Sequence, residues 1–124
     1  MSKTIVLGQP PDTFEAQVDF VLPGGETASI TLTFRYQTRT AILAMMKNMD
    51  DALAELSGLE DTSAMLEQSM TLNVDSLLQV VAGWDLDAEF NARHVRQLCD
   101  EYPMAPDAIL TRYSRVMLEA QRGN

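Results

Sequence analysis

The stretch TASITLTFRYQTRTAILAMM, residues 27–46, changes its hydrophobic period half-way along and so decides the fold. Ala28, Ile30, Leu32, Phe34 and Tyr36 alternate with Ser29, Thr31, Thr33 and Arg35, the period of two that sets every second side chain on one face of a strand. From Thr38 onward the apolar positions fall three and four apart. Ile42, Met45, Met46, Met49, Leu53 and Leu56 predict a helix capped by Thr38 or Thr40 and ending near Gly58.

Upstream, Phe14, Ala16, Val18, Phe20 and Leu22 repeat the strand period, and Pro23-Gly24-Gly25-Glu26 is a turn of hairpin length. Lys3–Leu7 is a candidate third strand, set off by Gln9-Pro10-Pro11-Asp12, whose prolines break any ladder. Downstream, Leu66, Met70, Leu77, Val81 and Trp84 carry a helical stripe from Thr62 to Ala82. Asn73-Val74-Asp75-Ser76 predicts a break in it, with Asp75 capping a second helix. Asn91 then caps a short helix bearing Val95, Leu98, Cys99 and Tyr102, stopped by Pro103. Pro106 suits the first turn of a last helix with Ile109, Leu110, Tyr113, Val116, Met117 and Ala120 on its apolar face. The expected fold is α+β, a small N-terminal antiparallel β-sheet (a hairpin plus the candidate third strand) packed with C-terminal α-helices. It forms a single domain, 1–124, mainly β over 1–37 and mainly α over 38–124.

At 124 residues with 46% hydrophobic side chains the chain can bury one core without disulfide or metal staples. Its single cysteine, Cys99, has no internal partner and points to a reducing compartment. No apolar run suits a secretory signal or a membrane span, so a soluble cytoplasmic protein is expected. The net charge is −9, and the arginines Arg93/Arg96 and Arg112/Arg115/Arg122 are diluted by acids, which argues against nucleic acid as a partner.

Groups for catalysis or metal binding are scarce. His94 and Cys99 lack the second His or Cys that a metal site needs and the third group that a Cys–His nucleophile needs. Asp85, Asp87 and Glu89 loosely match a calcium loop, but Phe90 and Arg96 stand where its Gly and Glu belong, so a solvated acidic loop is the reading. No phosphate-binding glycine pattern occurs. The chain reads as a non-enzyme without cofactor or metal.

The C-terminal third carries a more specific pattern: Val81-x-Gly83-Trp84-Asp85, then Phe90, then Leu98-x-Asp100-Glu101-Tyr102-Pro103, then Ala108-Ile109 and Tyr113. It resembles the tail assembly chaperones of long-tailed bacteriophages and prophages, which carry a V-x-G-W-D step, a short helix ending in L-x-D-E-Y-P and a final helix with a tyrosine. His94 departs from that pattern where a polar amide is expected, and Cys99 departs within the L-x-D-E-Y-P step. The resemblance implies a protein of the host cell cytoplasm that binds the tape measure protein, keeps it soluble and promotes tail tube protein polymerisation around it. It also implies absence from the mature virion and, for many members, a longer form made by ribosomal frameshifting. Two other classes remain open: a structural tail or neck component, or an acidic inhibitor that acts as a decoy.

The residues suggest their own roles beside this. Gly83 should end the helix through Val80 and Val81, and Trp84 should turn inward to pin the next loop, with Tyr102 and Pro103 as further structural anchors. Thr27–Tyr36 has one charge, Arg35, guarding its edge, which predicts cover by a helix or weak self-association. Eight methionines suit a surface that holds varied apolar shapes. Met46 and Leu43 on one wall, Tyr113 and Met117 on the other, with Arg112 and Arg115 at the rim, form the candidate partner groove; core packing is the alternative for these methionines.

Overall fold

A computed structural model describes residues 4–119. The elements run β1 (Thr13–Val21), β2 (Thr27–Arg35), α1 (Arg39–Leu56), α2 (Thr62–Val80), β3 (Val81–Trp84), α3 (Ala92–Glu101), α4 (Ala105–Ser114) and a π-helical turn, Arg115–Glu119. Among the described residues the fold is α+β, a three-stranded antiparallel sheet with four helices. Arg122 and Ala120 fall outside the described residues.

β1 and β2 pair from Thr13↔Arg35 to Val21↔Thr27, so the alternating runs become one buried and one open sheet face. The hairpin closes through Leu22 N–H to Glu26 O at 2.7 Å and Gly25 N–H to Leu22 O at 2.8 Å. Gly25 sits at φ +92, a conformation that a side chain would strain.

The third strand is not Lys3–Leu7. Lys3 lies outside the described residues, Thr4–Val6 is irregular, and Ile5 and Leu7 are exposed in a turn closed by Gln9 N–H on Val6 O. Pro10 and Pro11 cannot donate to a ladder, and the chain joins the sheet only after Asp12, whose carbonyl accepts from Tyr36 N–H at 2.9 Å. The third strand comes instead from residues 81–84, giving the order β1-β2-β3. Leu32 faces Trp84, Thr33 faces Gly83, and a register shift then sets Phe34 opposite Val81. The edge of β2 read as bare is therefore occupied over Leu32–Phe34, which leaves β1 as an open edge.

α2 is one helix from Thr62 to Val80, without the break expected at Asn73–Ser76. Its cap is Asp61, whose carboxylate accepts from Ser63 N–H at 3.0 Å. Val74, Ser76, Leu77 and Val80 are all buried, and that packing outweighs the weak helix preference of Asn73 and Asp75. The helix ends without help from Gly83. The chain leaves it at Val81, φ −109 and ψ 134, and passes directly into β3, where the branched Val80-Val81 pair suits extended backbone.

The core lies between the inner sheet face and the helices. Val18, Ile30, Leu32 and Phe34 meet Ile42 and Met45 of α1, Leu77 and Val80 of α2, Val95 and Leu98 of α3, and Ile109 and Tyr113 of α4. Each such side chain contributes roughly 1.5–3 kcal/mol of apolar burial.

Candidate functional site

The segment around the lone tryptophan builds a corner. Trp84 is half-buried; its indole N–H donates to Ala88 O at 2.8 Å, and its ring meets Phe90 edge-on at 5.1 Å. Asp85 continues the sheet after the strand has ended. Its N–H donates to Thr31 O at 3.1 Å while its carboxylate accepts from Thr31 N–H at 3.0 Å. Gly83 is a strand residue, and a Cβ there would meet the Thr33 side chain at 3.8 Å, an ordinary contact. Asn91 caps α3 by accepting from His94 N–H at 2.9 Å, as its position predicts, and the His94 ring lies 2.5 Å from Glu89 O. Tyr102 caps the other end of α3 and meets Phe20 edge-on at 6.2 Å, with Pro103 following.

The residues expected to line a partner groove are placed apart. Tyr113 is fully buried, stacked on Phe14 and tilted against Phe34, with its hydroxyl donating to Arg35 O at 2.7 Å. Burial pushes its ionisation upward, a hydrogen bond from Gln37 partly offsetting this. Met46 and Met117 are both half-buried against the core. Met117 lines a cleft of about 720 Å3 with Leu118, Ile42, Tyr36 and the segment Thr4–Pro11, whereas Met46 and Tyr113 do not. Arg112 is drawn to β1, where its Nε donates to Gln17 O at 3.1 Å and satisfies part of the open edge.

A larger apolar surface lies on the α1–α2 hairpin. α1 buries side chains only in its first two turns, Ile42 and Met45, and α2 only in its second half, from Val74. Between them, no residue from 46 to 73 is buried. That stretch nonetheless carries Met46, Met49, Leu53, Leu56, Leu59, Met65, Leu66, Met70 and Leu72. Leu53 is 53% exposed and Leu66 66% exposed. The hairpin is thus an arm rooted in the core, with Met46, Met49 and Met70 packed against it and an apolar outer half that the fold covers only in part.

The family model of the phage tail assembly chaperones matches residues 1–124. The chain belongs to that family. No curated protein and no solved structure matches it significantly. Among the described residues no three His, Cys, Asp or Glu side chains gather as a metal site, and no helix is long and apolar enough to cross a membrane.

The chaperone's arm was missed from sequence because periodicity reports which face is apolar and is silent on whether the rest of the molecule reaches it. One signal was present. Residues 46–73 hold six acids, Asp50, Asp51, Glu55, Glu60, Asp61 and Glu67, against one base, Lys47. This charge keeps the outer faces of the two helices solvated while the methionine- and leucine-rich stripe lies beside them.

Proposed function

We propose that this tail assembly chaperone acts before the tail is complete: it binds the tape measure protein, keeps it soluble and brings tail tube subunits to it. The observation that supports this reading is the arm, where Leu53 and Leu66 are exposed and seven further large apolar side chains between residues 46 and 73 are only half-buried. Exposed leucines beside a row of half-covered apolar side chains mark a surface on which a partner can be held. Methionine suits the task, because its flexible thioether chain fits helices of differing shape. The protein works in the host cytoplasm, is left behind when the tail matures, and shares its N-terminal part with any frameshifted longer form.

The test is co-expression with the tape measure protein of the same phage. The client should stay soluble and co-purify with the chaperone, and mass spectrometry of purified particles should find no chaperone. A client that stays soluble alone, or a chaperone present at fixed copy number in virions, would instead favour a structural tail component.

A further inference from the structure

Resting on the client reading above and deepening it, we infer that the α1–α2 arm docks a basic amphipathic helix of about three turns, which completes a three-helix bundle with it. Three observations carry this. The first is the unburied stripe itself. Ile42, Met46, Met49, Leu53 and Leu56 fall on one face of α1, and of these only the root residue Ile42 is buried. Two helices alone bury one narrow seam; a third helix lying along both removes the flanking apolar surface from water.

The second is length. The unburied limb of α1 runs from Met46 to Leu56 and that of α2 from Thr62 to Asn73. At about 1.5 Å per residue each limb is roughly 16–18 Å long, which matches a partner helix of about eleven residues.

The third is charge. Lys47 pairs with Asp51 at 3.2 Å and Arg96 of α3 with Glu67 at 2.6 Å. Asp50, Glu55, Glu60 and Asp61 have no ion-pair partner among the described residues. Asp50 lies four residues after Met46 at the margin of the stripe, and Glu60 and Asp61 stand in the connection that joins the two limbs, so these charges favour lysine or arginine on the partner's polar face. The same charges disfavour a second copy docking arm to arm, since each arm would bring six acids against one base.

The probe is a pair of synthetic helical peptides of about 15 residues, long enough for marginal helicity alone. Both carry the same leucine stripe, one with lysine and the other with glutamate on the polar face. Binding to the full chain is read by fluorescence anisotropy, and folding of every variant by its melting temperature. The lysine peptide should bind, gain helicity, and weaken steeply as salt rises from about 0.05 to 0.5 M. The glutamate peptide should not bind.

Leu53→Gln with Leu66→Gln should weaken binding at least about tenfold with the melting temperature kept, the exposed sites having little packing to lose. Asp50→Lys with Glu60→Lys should switch preference to the glutamate peptide. Glu26→Lys with Asp87→Lys, charge changes away from the arm, should bind as the parent does. Equal binding of both peptides, or lysine-peptide binding indifferent to the arm variants, overturns the inference. Capture of the tape measure protein unaffected by the arm variants also overturns it while leaving the chaperone reading intact. Lysine-peptide binding at the arm without any capture of that protein overturns the client's identity alone.

Discussion

Tyr113 joins three parts of the chain at one point: its ring fills the space beside Phe14 and Phe34, and its hydroxyl satisfies the Arg35 carbonyl where β2 ends. Tyr113→Phe keeps the packing and removes the donor, so it should cost about 1–2 kcal/mol in urea unfolding. Burial also raises the ionisation of Tyr113, and that of Cys99 from 9.0 to about 11, the cation of Arg96 slightly opposing the latter. Both groups are neutral when folded, so their stability contribution is whole below pH 9.0, where the unfolded thiol is also neutral. It is lost as pH climbs through the raised values, because the unfolded chain ionises first. A stability–pH curve should fall in that window, and Tyr113→Phe should flatten its part above pH 10.0. Trp84→Ala removes an edge-on aromatic contact and a half-buried ring, and should cost about 3 kcal/mol; Trp84→Phe, which loses the bond to Ala88, should cost about 1 kcal/mol. At this scale the sequence told that Trp84 sits at a junction and that Asn91 caps a helix, both local matters. It did not tell that Asp85 would mimic a strand residue opposite Thr31, a contact 54 positions away in the chain.

Among the elements, the strands of the hairpin and the starts of α1 and α3 follow directly from period and caps, because alternation and a capping oxygen act within a few residues. α2 and β3 do not. Asn73 and Asp75 are poor helix formers locally, yet Val74 and Leu77 beside them are buried and hold the helix through them. Val81–Trp84 looks helical by spacing and becomes a strand because β2 offers it an open edge. A pair of substitutions separates the two descriptions of α2. If one helix runs through, exposed Asp75→Ala should stabilise by about 0.5 kcal/mol through helix propensity. If Asp75 capped a second helix, the same change would cost about 1 kcal/mol, which is the loss expected instead for Asp61→Ala at the actual N-cap. Chemical denaturation of both variants reads the signs.

The whole molecule divides into a packed body and an arm, and this division was the least legible feature in the sequence. Every apolar stripe predicts an inward face, and the stripe of α1 indeed begins inside, at Ile42 and Met45. It continues outward past the edge of the core because neither the sheet nor α3 and α4 buries a residue between positions 46 and 73. Met46 thus sits at the root of an open surface, while Tyr113, placed opposite it by sequence reasoning, belongs wholly to the body. On the proposed reading, a client held on the arm leaves the body that folds the chaperone undisturbed. Amide hydrogen exchange of the protein alone and of its complex with the tape measure protein compares the two regions directly. Alone, amides of residues 46–73 should exchange faster than those of β1, β2 and α4, having few buried contacts to hold them. In the complex, residues 46–73 should become strongly protected while β1 and β2 change little; an arm that exchanges as before, with protection gained at the Thr4–Pro11 cleft or nowhere, would contradict the assignment of the arm as the client surface.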